Sequence, residues 1–216
     1  MIFFCSLNMK TKNFLSVSVV IPAFNEEQTI GLVLKEISKE YEIIVVDDHS
    51  TDSTARIAER YATVLKNPKN SGYEKSLIKG INYASGKIIV SMDADLEHKP
   101  KDITRLLKKL EEADFVIAER PFLPRRIEYI MAWLVHRKIP FIQDPANGFR
   151  AIKRKVIDSI KLERMCFGAN LLLRAHKKGF CIKTIKIKVK RRHESRLKIK
   201  VILKEFLFLI KEIIIS

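Results

Sequence analysis

VSVVIPAFNEEQTIGLVLKEISKEYEIIVVDD, residues 17–48, holds two strands and the helix between them in one stretch. Its ends, VSVVIPA at 17–23 and EIIVV at 42–46, are short runs of β-branched and apolar residues, the composition of strands buried on both faces. Pro22 stops the first run and the Asp47-Asp48 pair stops the second. Between them, residues 26–40 place Ile30, Val33, Leu34 and Ile37 on one apolar stripe at helical spacing. Strand, helix, strand of these lengths reads as a βαβ unit, whose strands run parallel because the connection crosses a face of the sheet.

The same rhythm continues outward: a helix over 51–61, a weak strand at 63–65, a helix over 73–84, a strand at 87–92 (KIIVSM), a helix over 102–110 and a strand at 115–118. Such alternation predicts an α/β protein with a mainly parallel, doubly wound sheet, helices on both faces, and ligands at the carboxyl ends of the strands. After Pro121 the rhythm changes. Residues 127–136 read as an apolar helix, 143–150 as a loop with Pro145 and Gly148, and 153–160 and 169–178 as helices. The run IKTIKIKV at 182–189 alternates apolar residues with Lys or Thr, an edge strand with one wet face guarded by lysines.

Composition narrows the class. The chain has 216 residues, 47% of them hydrophobic, which suits one domain with a sizeable core and excludes a disordered chain. Cys5, Cys166 and Cys181 show no CxxC or Cys/His spacing, so neither a disulfide framework nor a structural zinc site is expected, and a reducing, cytoplasmic setting is. Lys and Arg number 41 against 25 Asp and Glu, and the whole surplus of 16 lies between residues 150 and 204. A surface so basic suits nucleic acid, an anionic membrane or a phosphate-rich substrate. No run is uninterrupted over the ~20 apolar residues that a membrane span needs. Residues 1–16 are expected to be a poorly ordered leader rather than a signal peptide, with Met9 as an alternative start. Residues 197–216 are expected to form an amphipathic basic helix at a membrane interface, or else a helix packed on the sheet or in a dimer contact.

Two acidic pairs fall at strand ends. Asp93 and Asp95 stand on alternate residues, so both carboxylates can reach one hard divalent cation, which neutralises a phosphate-bearing substrate. A lone D-x-D is often a solvated turn. Asp47-Asp48 ends another strand of the same rim, and clustered acids repel one another unless a cation or hydrogen-bond donors compensate.

Four ordered segments, VSVVIPAFNEEQTI (17–30), EIIVVDDHSTDST (42–54), NSGYEKSLIKG (70–80) and SGKIIVSMDADLEH (85–98), resemble the nucleotide-sugar half of family 2 glycosyltransferases. The resemblance is to the polyprenol-phosphate (dolichol-phosphate) mannosyl- and glucosyltransferase branch. DPANGFRAIKR (144–154) resembles that branch's D-x-x-S-G-F-R segment, and ESRL (194–197) its closing G-x-S-K stretch. The resemblance implies a GT-A fold with a Rossmann-like sheet over residues 17–196. Its nucleotide-sugar half would be 17–120 and its acceptor half 121–196. It implies inverting transfer of a hexose from GDP- or UDP-sugar to a polyprenyl phosphate, with Mg2+ or Mn2+, by a cytoplasmic protein held peripherally at a membrane surface. No nucleic-acid partner is expected.

Carried onto this chain, the resemblance gives Pro22, Ala23, Asn25, Glu26, Asp48 and Gly72 to the nucleotide pocket. Asp93, Asp95 and Glu97 would hold the metal, with Glu97 where the branch often has Gln. Arg120 and Arg150 would bind donor or acceptor phosphate, since guanidinium forks suit phosphate oxygens, and Ser195 and Arg196 would clamp the diphosphate. Asp95, Asp144, Arg120 and Arg150 are the expected catalytic set; Asp144 is the candidate base or acceptor-orienting carboxylate, or a loop-capping acid before Pro145. An acceptor phosphate is already anionic, so it needs no dedicated base.

The chain departs from the branch at four places: Glu74 stands where a second glycine is usual, Ala146-Asn147 where Thr-Ser is common, residues 167–170 lack the usual Glu, and His193 replaces a glycine. Two rival readings remain open at this level. One keeps the fold and moves the sugar to a glycan hydroxyl, with Asp144 as base. The other is a degenerate, basic binding module for anionic lipid or nucleic acid.

Overall fold

The computed structural model of the chain describes residues 16–123, 126–160, 162, 168–189, 206–207 and 209–210. Its strands are β1 (Val17–Ala23), β2 (Glu42–Asp47), β3 (Thr63–Lys66), β4 (Ile88–Ser91), β5 (Phe115–Glu119), β6 (Arg150–Lys153) and β7 (Ile182–Lys186). They form one sheet in the order β3-β2-β1-β4-β6-β5-β7. The continuous apolar runs are explained by cover on both faces. Val20 of β1 packs in one cluster with Ile44, Val46, Leu77 and Ile81, while its neighbours Val19 and Ile21 pack on the opposite face with Ile30, Val33, Leu34 and Ile103.

Helices α1 (Ile30–Glu36), α2 (Thr54–Ala58), α3 (Tyr73–Tyr83), α4 (Asp102–Leu110), α5 (Arg126–His136), α6 (Arg154–Ser159) and α7 (Ala169–Lys177) supply that cover. α3 lies unusually close to the sheet. A Cβ on Gly80 would come within 2.4 Å of Val20 Cγ1 and 2.9 Å of Val46 Cγ2, so only glycine allows this approach.

Pairings β1 with β2, β1 with β4, β2 with β3 and β5 with β7 are parallel, as the βαβ rhythm predicts. One element differs. Residues 150–153, expected to end a loop and begin a helix, form β6, which runs antiparallel between β4 and β5 with Ala151 opposite both Val90 and Val116. Its four residues, Arg-Ala-Ile-Lys, carry charges at both ends, and α6 starts immediately after, so no strand period could develop. α1 also begins at Ile30 rather than 26, because residues 26–29 make a turn in which Glu26 O accepts from Thr29 N and Ile30 N. β7 is the lysine-bearing edge strand the alternation predicts.

Of the 197–216 segment, Leu209 is buried in the core cluster that includes Met131, Val135 and Leu172; Phe206 packs against it and Leu207 is exposed. The rest of that segment, residues 1–15, Ser195 and Arg196 lie outside the described residues. No helix among the described residues is long and apolar enough to cross a membrane.

Candidate active site

The loops that leave the carboxyl ends of β1, β2 and β4 gather on one rim, as a parallel sheet requires. The loops after β1 and β2 are laced together. Asn25 N donates to Ser50 Oγ at 3.0 Å, Thr51 N to Asn25 Oδ1 at 2.9 Å, and Glu26 N to Thr54 Oγ1 at 2.7 Å. Asn25 (φ 53°) and His49 (φ 67°) hold left-handed backbone at this seam, where Asn is among the tolerated side chains. Pro22 and Ala23 pair with Val46 and Asp47, and Ala23 O accepts from Asp48 N at 2.8 Å.

Asp48, nearly fully buried, organises the next loop. Its Oδ1 accepts from Asn67 Nδ2 and Ser71 N, and its Oδ2 from Gly72 N, all at 2.8 Å. Gly72 turns at φ +90°, which suits glycine, and α3 starts beside it. The resemblance gave Asp48 a nucleoside contact; here both of its oxygens accept bonds from residues 67–72. Glu74 falls in the first turn of α3, where an acid complements the helix dipole but competes with any phosphate placed there.

At the end of β4, the Asp93 carboxyl is pushed up to about 6 by burial and by the negative charge of Asp95, against which the Tyr73 hydroxyl, Arg120 and Arg150 work. Asp93 Oδ1 is buried without a hydrogen-bond partner, while 28% of the side chain stays exposed. Such a pair of hard, mutually repelling oxygen donors fits a divalent cation. Glu97 lies near both Asp93 and Asp95 and also meets Arg120. Its Oε1 lies 3.6 Å from Arg120 Nη1, and among the described residues no three metal-ligating side chains converge on one point. His98 is buried against Phe149, its Nδ1 3.8 Å from Asp93 Oδ2, and burial lowers its pKa.

After β5, Arg120 is the hub of a second charged cluster. It grips Asp144 through Nε to Oδ2 (2.7 Å) and Nη2 to Oδ1 (3.0 Å), and Nη2 also reaches Glu128 Oε2 at 3.3 Å. This bidentate fork occupies both oxygens of the buried Asp144, which orients Arg120 and is poorly placed to act as a free base. Arg150 lies elsewhere from its expected role. It is fully buried, and its Nε, Nη1 and Nη2 donate to the carbonyls of Asn147 (2.6 Å), Gly168 (3.1 Å) and Pro145 (3.0 Å). Burial lowers its pKa to about 10, so it stays cationic at neutral pH, as a clamp on the 144–150 loop.

Sequence reasoning missed Tyr73 and Glu128. Tyr73 adjoins the flagged Gly72, and its hydroxyl stands against Asp93. Glu128 had no signal, because its meeting with Arg120 depends on how α5 docks.

The model of glycosyl transferase family 2 matches residues 18–160, well over half of the chain. A Methanocaldococcus jannaschii protein without an assigned function is 36% identical over 66% of this chain and 73% of its own length. The dolichol-phosphate mannosyltransferase of Pyrococcus furiosus is 30% identical over 87% of this chain, which spans 61% of that protein's length. The undecaprenyl-phosphate 4-deoxy-4-formamido-L-arabinose transferase of Proteus mirabilis is 29% identical over 80% of this chain and 59% of its own length. In fold, the chain superposes on glucosyl-3-phosphoglycerate synthase from Mycobacterium tuberculosis, solved with Mn2+, UDP and phosphoglyceric acid, with a TM-score of 0.79, 24% identity and coverage of 93% of this chain and 79% of that one. That likeness is one of GT-A architecture. With the strand order, the acidic rim and the matched segment in agreement, the chain belongs to glycosyl transferase family 2.

Proposed function

We propose that the chain transfers a hexose from a nucleoside diphosphate sugar to a polyprenyl phosphate at a cytoplasmic membrane surface, using Mg2+ or Mn2+. One observation carries this reading: Asp93 and Asp95 stand at the end of β4 with the Arg120 guanidinium close enough to favour the Asp93 carboxylate, and with Glu97 between them and that arginine, beside the loop anchored by Asp48. The Pyrococcus and Proteus relatives are both named for transfer to a polyprenyl phosphate, which supports the acceptor class.

When bound, the cation would offset the charge of the departing diphosphate, held by Asp93 and Asp95. The chain's own residues do the rest. Asp48 keeps the 67–72 loop shaped against the nucleotide. Asp144 and Glu128 aim Arg120, which attracts the acceptor phosphate and stabilises charge as it shifts between phosphate and diphosphate. Attack of a phosphate oxygen on the anomeric carbon in one displacement inverts that carbon and needs no proton removed. The engagement of Asp144 by Arg120 weighs against a hydroxyl acceptor, which requires a base. The membrane side of the reading rests on α5 and the turn after it. Tyr129, Ile130, Trp133 and Phe141 are exposed there, and Arg137 stacks over Trp133 at 5.3 Å, an aromatic and cationic face suited to anionic lipid headgroups.

The test is a thermal-shift titration with GDP, UDP and their hexose conjugates, with and without Mn2+ or Mg2+, on wild type and Asp95→Ala. Transfer to a short-chain polyprenyl phosphate, phosphoglycerate and a glycan is then measured. The expected result is a metal-dependent shift for one nucleotide, about 2.7 kcal/mol at 100 times its Kd, lost in Asp95→Ala, with transfer to the polyprenyl phosphate alone. No shift with any nucleotide, or transfer to a hydroxyl, refutes it.

A further inference from the structure

We propose that the depression between the start of α4 and the end of β7 is a second anion site, which takes a compact, multiply charged phosphate group, carried either by a lipid headgroup or by free pyrophosphate. The site goes beyond the transfer reaction proposed above and does not depend on it.

The depression holds about 250 Å3 and is lined by Lys99, Lys101, Asp102, Arg105, Lys186 and Lys188, five cations against one acid. Three segments supply them: the loop after β4, the first turn of α4, and the end of β7 with the residues just after it. Arg105 fastens the walls together, its Nη1 donating to Asp102 Oδ1 and its Nη2 to Lys186 O, each at 2.8 Å. Lys186 stands opposite Glu119 where β5 pairs with β7, so the depression lies level with the end of β5, on the rim that carries Asp93 and Asp95.

Among the described residues the four lysines of this wall have no ion-pair partner, whereas other lysines find acids: Lys109 and Lys183 share Glu112, and Lys153 and Lys155 share Asp114. Asp102 is buried and already bonded to Arg105. Glu36 borders the adjoining depression with Lys99 and Lys101, and within the described residues it makes no ion pair with either. A concave wall of one sign focuses its field on a counter-ion, which relieves the repulsion among the cations. The helix end adds little, because the amides of Asp102 and Ile103 are taken by Lys99 O at 2.9 Å and Pro100 O at 3.0 Å. Recognition therefore falls to ammonium point charges, which suit a group with several anionic oxygens. The confined volume fits one or two phosphates, while a nucleic-acid strand needs cations along a groove that tracks its backbone.

The experiment titrates inorganic pyrophosphate into the full chain by calorimetry, at roughly 0.15 M salt and with EDTA, so that no divalent cation bridges it to Asp93 and Asp95. It compares wild type, the triple variant Lys101→Ser/Lys186→Ser/Lys188→Ser and a charge-matched control, Lys39→Ser/Lys87→Ser/Lys108→Ser, all six lysines being exposed. Exposed pairs are individually weak, so the three wall lysines together are expected to cost roughly tenfold in pyrophosphate affinity, with the control within about twofold of wild type. Without anion, the triple variant is expected to melt at or above the wild-type temperature, since repulsion is relieved. Displacement of pyrophosphate by vesicles containing phosphatidic acid, and not by phosphatidylcholine alone, assigns the site to a headgroup; no displacement assigns it to soluble phosphate, and either result supports the site. Absence of pyrophosphate binding by wild type, or equal weakening in both variants, overturns it. Duplex RNA that binds wild type more tightly than pyrophosphate and is lost in the triple variant would make the wall a nucleic-acid surface and also overturn it. Loss of the nucleotide- and Mn2+-dependent thermal shift in the triple variant would put these lysines in the donor site and overturn a separate one, whereas absence of that shift in wild type refutes the transfer reading and leaves the pyrophosphate result to stand.

Discussion

Replacing Asp48 with asparagine changes one atom in a carboxylate that accepts three short hydrogen bonds, from Asn67 Nδ2, Ser71 N and Gly72 N, each at 2.8 Å. The retained oxygen still accepts from Asn67 and Ser71. The new NH2 faces Gly72 N–H, donor against donor. An unmet buried donor costs ~1–3 kcal/mol, and the two surviving bonds each drop from charge-assisted to neutral strength, a loss of ~1 kcal/mol apiece. Ser71 and Gly72 keep partial access to water, which lowers the total, so the expected destabilisation is about 3 kcal/mol. Urea unfolding followed by circular dichroism measures it, with an unchanged m-value as the sign that the denatured state is the same. Asp47→Asn is the control. Asp47 is as buried, but its Oδ1 has no partner and its Oδ2 accepts only a long bond from Ser50 N at 3.3 Å, so its change is expected within ~1 kcal/mol. A loss below ~1 kcal/mol in Asp48→Asn, or an equal loss in Asp47→Asn, would refute the assignment of Asp48 as the hub of the 67–72 loop.

Four further outcomes are expected. Gly80→Ala gains about 1 kcal/mol of helix propensity but drives a methyl to 2.4 Å from Val20 Cγ1, so urea unfolding should show a net loss of roughly 1–2 kcal/mol. Arg150→Lys cannot span the three carbonyls that Arg150 holds, and leaving two unmet should cost about 2–4 kcal/mol in the same measurement. Partial burial raises the Glu42 pKa, but the Ser18 hydroxyl and the amides of Ser85 and Gly86 outweigh it and hold it below its ordinary 4.5. Its stabilising effect is therefore full above that pH and lost as pH falls through the lower folded value, and Glu42→Gln should flatten the acid limb of the stability curve. Trp133→Ser with Tyr129→Ser removes two exposed rings from α5, and co-sedimentation with anionic vesicles should fall severalfold without loss of melting temperature.

The central strands were legible because both of their faces are covered: Val19, Val20 and Ile21 are all buried, so burial left a continuous apolar mark on the chain. α4 was legible to the residue, 102–110, because one face meets the sheet and the other meets water. β6 was not. Its place between β4 and β5 comes from backbone pairing, which any side chain can supply, and two of its four residues are charged. The acids of the site were legible in type and in strand-end position. Their partners were not, since Arg120 meets Asp144 and Glu128 across 24 and 8 residues of chain.

Local patterning by itself determined the βαβ rhythm, the edge strand with its lysines, and the rim on which Asp48, Asp93 and Asp95 stand, because periodicity and strand ends are properties of neighbouring residues. Only the tertiary structure decided how those groups are spent. It turned Arg150 inward to hold three carbonyls, bound Asp144 to Arg120, drew Glu97 toward that same arginine, and brought Tyr73 and Asp93 together against Gly148. A charged side chain's task is set by what lies within hydrogen-bonding distance and by how much water remains, and both are fixed by distant segments packing together.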